Sequence, residues 1–333
     1  MNTYLQNNPW CIIEEGFNTE NQLKTETDFC LGNGNIYQQA NFEEYYSGET
    51  IRGSYISGMT TNNLVTCGQW KNEYNDSIDK IINAPDWTAI IVRLNDEVLD
   101  LKIWEVVNFR WVLNMHEGTL ERTFEAVSPK GNHIEIKIIR LLSLAETEIG
   151  AIKYSVKSLN FEGRISFMPL IDGDLKNQQT DINELTWNVL QTKVQQDVAH
   201  IWIQLRRMDF HVCGALSYVF KKNNEQLQII PTKIEKEKVV GYSIGTDVKV
   251  GDTLTLQKFT VMICSANFPR QTLTESACTL ARAAKEKGWE QLFEEHKAVL
   301  DSKWKESDRS FENDIPALKE TRYQIFKSLM SIA

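Results

Sequence analysis

The sequence predicts a mainly β protein: one large antiparallel β-sandwich over residues 1–268, followed by a short helical segment over residues 269–333. Three observations carry this. Apolar and polar residues alternate with period two in run after run between residues 88 and 266, the mark of strands with one face buried. Turn-forming residues punctuate those runs at short intervals, which favours antiparallel neighbours. Beyond residue 272 the apolar spacing changes to the 3–4 of a helix.

The elements can be placed in order. Residues 90–94 and 98–101 flank the turn-prone triplet Asn95-Asp96-Glu97, as in a hairpin. Phe109, Trp111, Leu113 and Met115 alternate before His116-Glu117-Gly118 turns the chain. Ile134, Ile136 and Ile138 alternate with Glu135 and Lys137, after the turn signal Pro129-Lys130-Gly131-Asn132. Ile152, Tyr154 and Val156 lead through Asn160-Phe161-Glu162-Gly163 to Ile165 and Phe167. Ile201, Ile203 and Leu205 make another run; Leu254 and Leu256, then Phe259, Val261 and Ile263, close the series. So many strands with short turns imply a large sandwich.

In the tail, Thr272-Leu273-Thr274-Glu275 has capping-box spacing. Ala277, Leu280, Ala281 and Ala284 follow at helical spacing as far as Gly288, a natural stop. Trp289, Leu292, Phe293, His296, Val299 and Leu300 predict a second helix, and a third starts near Pro316. On that third helix Leu318, Arg322, Ile325 and Leu329 share a stripe, with Phe326 and Met330 beside it. Each large apolar side chain left in water forgoes roughly 1.5–3 kcal/mol. The stripe is therefore expected either to fold back on the sandwich or to pair with another chain, with a homodimer contact centred on Ile325, Phe326 and Leu329 favoured.

Composition excludes several function classes. Thirty-six Lys and Arg against 45 Asp and Glu leave a net charge of -9, which repels nucleic-acid backbones. No apolar run approaches the ~18 residues of a membrane span, and the start has no basic or apolar signal-peptide region. Cys11, Cys30, Cys67, Cys213, Cys264 and Cys278 form no C-x-x-C pair, so they read as reduced, packed thiols in a cytoplasmic protein rather than a zinc or redox cluster. The five histidines form no H-E-x-x-H. No metal and no organic cofactor is expected.

Three features invite a chemical reading. Gly32-Asn33-Gly34-Asn35-Ile36-Tyr37 begins like a dinucleotide fingerprint but sits in no βαβ unit, so it reads as a tight turn. Glu43-Glu44 suggests a glycosidase carboxylate pair, yet such carboxyls must stand across a scissile bond. Adjacent residues on a strand point to opposite faces, so at most one can reach a site. A buried carboxylate held by backbone or an arginine is the stronger reading. Residues 57–87 are rich in Gly and Asn with weak periodicity, and loops this long are often functional. Trp70, Lys71, Glu73 and Tyr74 there suit a sugar's ring face and hydroxyls, as does Tyr55 nearby. The candidate sugar contacts are thus Tyr55, Trp70 and Lys71, with Glu43 and Glu44 kept beside them.

Several segments, in order, resemble glycoside hydrolase family 65, which includes maltose, kojibiose and trehalose phosphorylases. They are Trp10-Cys11-Ile12-Ile13-Glu14-Glu15-Gly16-Phe17, Glu26-Thr27-Asp28-Phe29-Cys30-Leu31-Gly32-Asn33-Gly34, Ala40-Asn41-Phe42-Glu43-Glu44, Gly53-Ser54-Tyr55-Ile56-Ser57-Gly58, Asn83-Ala84-Pro85-Asp86-Trp87, Leu113-Asn114-Met115-His116-Glu117-Gly118-Thr119-Leu120-Glu121-Arg122 and Ile171-Asp172-Gly173-Asp174-Leu175-Lys176-Asn177. Ala151-Ile152-Lys153-Tyr154-Ser155 looks most like the kojibiose and maltose branch. The resemblance implies the family's N-terminal super-sandwich, of galactose-mutarotase type, with Thr321-Arg322-Tyr323-Gln324-Ile325-Phe326 looking like the first helix of its (α/α)6 barrel. The chain departs from the family at Tyr37-Gln38-Gln39, where relatives commonly read Gly-x-Arg. The barrel itself, which in relatives carries the general-acid glutamate and the phosphate-binding residues, has no counterpart, so no catalytic residue is carried over.

The resemblance implies an N-terminal domain of a disaccharide phosphorylase or hydrolase acting on α-glucosidic disaccharides, inactive alone, with inorganic phosphate as co-substrate in intact relatives. A freestanding carbohydrate-binding module and a dimer-assembly domain are the alternatives.

Overall fold

The computed structural model describes residues 8–57, 83–174, 187–206, 209–308 and 314–331. Two antiparallel sheets face each other. The larger has the order Cys11–Glu15, Glu105–Asn114, Thr119–Val127, His133–Leu142, Ile149–Ser158, Thr253–Cys264, His211–Lys222, Val198–Leu205 and Trp187–Gln195, with the short Glu225–Gln226 off its path. The smaller runs Thr232–Glu235, Val239–Val248, Gly163–Asp172, Ile90–Leu94 and Glu97–Val98. The hairpin expected at residues 90–101 forms, but its return strand ends at Val98. A third small sheet joins Leu31–Gly32, Ile36–Gln38 and Ser54–Ile56.

The inner row of the large sheet is the expected one. Ile134, Ile136 and Ile138 alternate in burial with Glu135 and Lys137. The central strands go further and are buried on both faces: Thr253–Cys264 is almost continuously buried. Their outer face carries Phe259, Val261, Ile263, Cys213 and Ala215, and the first half of the long helix Leu273–Ser307 lies on it. Ala277, Ala281 and Ala284 let that helix approach closely, and Ser217 Oγ donates to the Ala281 carbonyl at 2.6 Å.

The two tail helices expected before residue 304 form and meet at a kink at Gly288, whose φ of 73° breaks the helical path. The capping box does not form. A 3-10 turn, Arg270–Thr272, precedes the helix, and Thr272 turns its hydroxyl back onto the Pro269 carbonyl at 3.3 Å. Past the kink His296 bridges helix and sheet: Nε2 donates to the Glu117 carbonyl (2.9 Å) and Nδ1 accepts from Leu144 N–H (3.2 Å). Burial keeps this imidazole's pKa below the ordinary histidine value. Trp304 Nε1 donates to the Met115 carbonyl.

The terminal helix, Ile315–Met330, starts where expected, with the Asp314 side chain accepting from Ala317 N–H. Its apolar stripe does not wait for another chain. Phe326 is 1 % exposed and Met330 4 %, both within this chain's own core. The dimer contact expected at Ile325, Phe326 and Leu329 is therefore corrected: folding back buries Phe326 here and packs Ile325 and Leu329 against the same core.

Candidate functional site

The richest cluster of charges lies between the sheets. Residues 38–46 form no strand after Gln38, so Glu43 and Glu44 do not diverge as strand neighbours would. Both side chains converge on Arg122. Its Nη1 donates to Glu44 Oε1 (2.7 Å), and its Nη2 donates to Glu44 Oε2 (2.5 Å) and Glu43 Oε2 (2.6 Å). Arg140 donates to Glu43 Oε1 from Nε (2.8 Å) and Nη2 (2.5 Å), and to the carbonyls of Gln39 and Asn41. All four carboxylate oxygens are thus held by guanidinium forks, the strongest class of protein hydrogen bond. The Arg122 guanidinium also lies within 4.8–5.2 Å of the Phe42, Trp111 and Phe124 ring centres, a favourable cation–π setting.

Electrostatics follow from the packing. Burial opposes ionisation of Glu43, but Arg140 and Arg122 outweigh it and hold its carboxyl below the usual range. At Glu44 burial outweighs the opposing Arg122, so its carboxyl is pushed up, with the neighbouring Glu43 charge adding to the shift. Neither reaches solvent. The sugar contact kept open for this pair is corrected to a structural ion cluster that shapes residues 39–46; the buried, arginine-held reading is the one observed.

The cluster continues along the inner row. Lys258, fully buried, donates to the carbonyls of Leu170 (2.6 Å) and Ala89 (3.0 Å) and so ties the large sheet to the small one. Burial lowers its pKa to about 7, with Asp86 and Glu43 opposing the shift. Asp86 accepts from Thr88 N–H and Oγ1 and stands 3.8 Å from Arg52. Asn83 closes this end: its side chain bonds Ser54 N–H and the Arg52 carbonyl, and its own carbonyl accepts from Trp187 Nε1.

Sequence reasoning missed Arg122, Arg140 and Lys258 as a group, although a signal was present. Each is a single cation at the inward parity of an apolar run: Arg122 between Leu120 and Phe124, Arg140 after Ile138, Lys258 after Leu256. A charge at that parity needs a buried partner.

Of the other candidates, Tyr55 lies half-buried on the Ser54–Ile56 strand, its ring 6.1 Å from Tyr37. Trp70 and Lys71 lie outside the described residues. Gly34 takes the positive φ expected of the turn, and Asn33 completes it by accepting from Asn35 and Ile36 N–H. The five described cysteines are buried free thiols. Among the described residues no group of three or more His, Cys, Asp or Glu is placed to hold a metal, and no helix is long and apolar enough to cross a membrane.

The profile of the family described as "Glycosyl hydrolase family 65, N-terminal domain" matches residues 12–303. The chain belongs to that family. Among curated proteins, it is 27% identical to an alpha,alpha-trehalose phosphorylase of Thermoanaerobacter brockii, with 97% of this chain and 43% of the relative covered. It is 27% identical to a maltose phosphorylase of Bacillus subtilis (96% and 41%) and 25% identical to a kojibiose phosphorylase of Halothermothrix orenii (90% and 37%). The chain thus spans about two fifths of the length of these family 65 relatives. Among solved structures, a putative kojibiose phosphorylase from the human microbiome superposes with a TM-score of 0.83 at 19% identity, covering 98% of this chain and 42% of that one. That likeness shows a shared fold.

Proposed function

We propose that the chain serves as the non-catalytic N-terminal domain of a disaccharide phosphorylase acting on α-glucosidic disaccharides of the maltose or kojibiose type, in the cytoplasm. The observation that carries this is the family match over residues 12–303, on relatives whose names are trehalose, maltose and kojibiose phosphorylase. The chemistry of such an enzyme is inverting phosphorolysis: a carboxylic acid protonates the glycosidic oxygen while inorganic phosphate attacks C1 from the opposite face. An acid and a phosphate must share one pocket for that. The one carboxylate pair singled out in this chain, Glu43 and Glu44, is locked on arginines, which supports placing the acid in a barrel that follows the sandwich. This domain then supplies scaffold and subunit contacts, and Tyr55, Trp70 and Lys71 are candidate sugar contacts only beside that barrel.

Two measurements test the reading. Incubated with phosphate and maltose, kojibiose or trehalose, the purified chain should release no glucose 1-phosphate; release would overturn the assignment. Calorimetric titration with the same sugars should be silent at millimolar concentration. Binding that is lost on Trp70→Ala would instead support a carbohydrate-binding module.

A further inference from the structure

We propose that the terminal helix Ile315–Met330, the segment that resembles the first barrel helix of the family, is strapped onto the sandwich by Arg322, and that this strap fixes where and in which direction the chain leaves the domain. The helix face is the first argument. Lys319, Arg322, Phe326 and Met330 recur every 3–4 residues and are buried, whereas Ala317, Glu320, Gln324 and Ser328 are exposed. The outermost face is therefore small and polar, and the helix's bulkiest apolar contacts are made within this chain.

Arg322 is the second. It is 7 % exposed. Its Nε and Nη2 donate to the two carboxylate oxygens of Asp308 at 2.9 and 2.8 Å, and its guanidinium carbon sits 3.6 Å from the Trp10 ring centre. Trp10 in turn meets Trp304 edge-on at 5.0 Å and His116 at 4.9 Å. One side chain thus joins the residue that leads into the edge strand Cys11–Glu15, the end of the long helix and the terminal helix. A two-point fork sets orientation as well as distance, which a single ammonium does not.

The far half is pinned independently. Tyr323 Oη donates to the Asp28 carbonyl at 2.8 Å. The Met330 carbonyl lies against Gly32 so closely that a Cβ there would stand 1.9 Å from its oxygen. Glycine is required at 32 by this contact, not by its own φ. Taken with the function proposed above, on which this one consequence rests, whatever follows Met330 is carried as one body with the sandwich.

Hydrogen exchange read by mass spectrometry on the full chain tests the strap. Peptides within 315–330 should be protected in the native chain, and Arg322→Gln should speed their exchange about tenfold or more, leaving Ile149–Ser158 and Thr253–Cys264 unchanged. Arg322→Lys should not restore protection, because it keeps the charge but loses the fork. Tyr323→Phe and Gly32→Ala should each loosen the second half of the helix. They carry the test should the Arg322 variants fail to fold. A native helix without protection, or protection unaltered in the variants that fold, overturns the proposal. Failure of the phosphorylase reading would leave these exchange patterns untouched.

Discussion

Arg122→Met is expected to destabilise the fold by about 3–5 kcal/mol, the usual consequence of removing one partner of a buried ion cluster. The variant fills similar volume, so the loss is electrostatic rather than a cavity. Among the described residues, Arg122 is the sole guanidinium on Glu44 and one of two on Glu43. Without it Glu44 must bury an uncompensated charge or take up a proton, and Glu43 keeps Arg140 as its guanidinium partner. For a chain of this length the loss corresponds to a fall in Tm of about 5 °C. Adding Glu44→Gln to Arg122→Met should recover part of it, and the cycle of four proteins reads their coupling. A single-variant loss under about 1 kcal/mol would show that the cluster is not what orders residues 39–46.

Lys258 should add to the stability of the native chain, between pH 7 and pH 9, an amount on the order of 2 kcal/mol, read as the difference in pH slope between the native chain and Lys258→Met. The sign follows from burial. The folded pKa of Lys258 is lowered to about 7 from the ordinary 10.5. Between those values the unfolded chain binds a proton that the folded chain does not, so raising pH favours folding. Below pH 7 both states are charged and the contribution is flat. Methionine keeps the apolar stem but gives up the bonds to the Ala89 and Leu170 carbonyls. Comparing the slopes of stability against pH in the two proteins isolates Lys258 from the buried thiols and phenols, which both share. Parallel slopes would mean that Lys258 stays charged in the fold, held by Asp86 and Glu43.

Much of the fold was legible because half-buried strands advertise themselves. Ile134, Ile136 and Ile138 needed only their alternation, and Gly288 marked its break. Legibility failed where two layers meet one strand. His211–Lys222 is buried almost throughout its first half, since the long helix covers the face that would otherwise be polar, and its sequence loses the period-two signal. The ion cluster failed differently. Glu43 and Glu44 were visible, and an arginine partner was the expected kind, but the partners lie 78 to 97 residues away and no local spacing announces them. The tail stripe was read correctly as apolar, while its partner was assigned to a second chain because sequence does not say which surface is nearest. Family membership was carried by ordered motifs such as Asn83-Ala84-Pro85-Asp86-Trp87, whose physical use, tying loop ends to Arg52 and Ser54, only the coordinates explain.

The order of strands in the large sheet also dictates an order of assembly. From Glu105 to Ser158 each strand pairs with the next in sequence, so this half can form from local contacts as the chain emerges during synthesis. Its last strand, Ile149–Ser158, must then wait for Thr253–Cys264; Ser155 and Thr255, whose hydroxyls bond across that seam, are 100 residues apart. Closing so long a loop is slow relative to forming hairpins. Until it closes, Ile149–Ser158 shows an unpaired edge, and its outer residues Ile149 and Ala151 lack their helix, the combination that templates aggregation. Chains halted before residue 253 should therefore collect in the insoluble fraction. Soluble, monomeric recovery of such a fragment would show that the seam is not the vulnerable step.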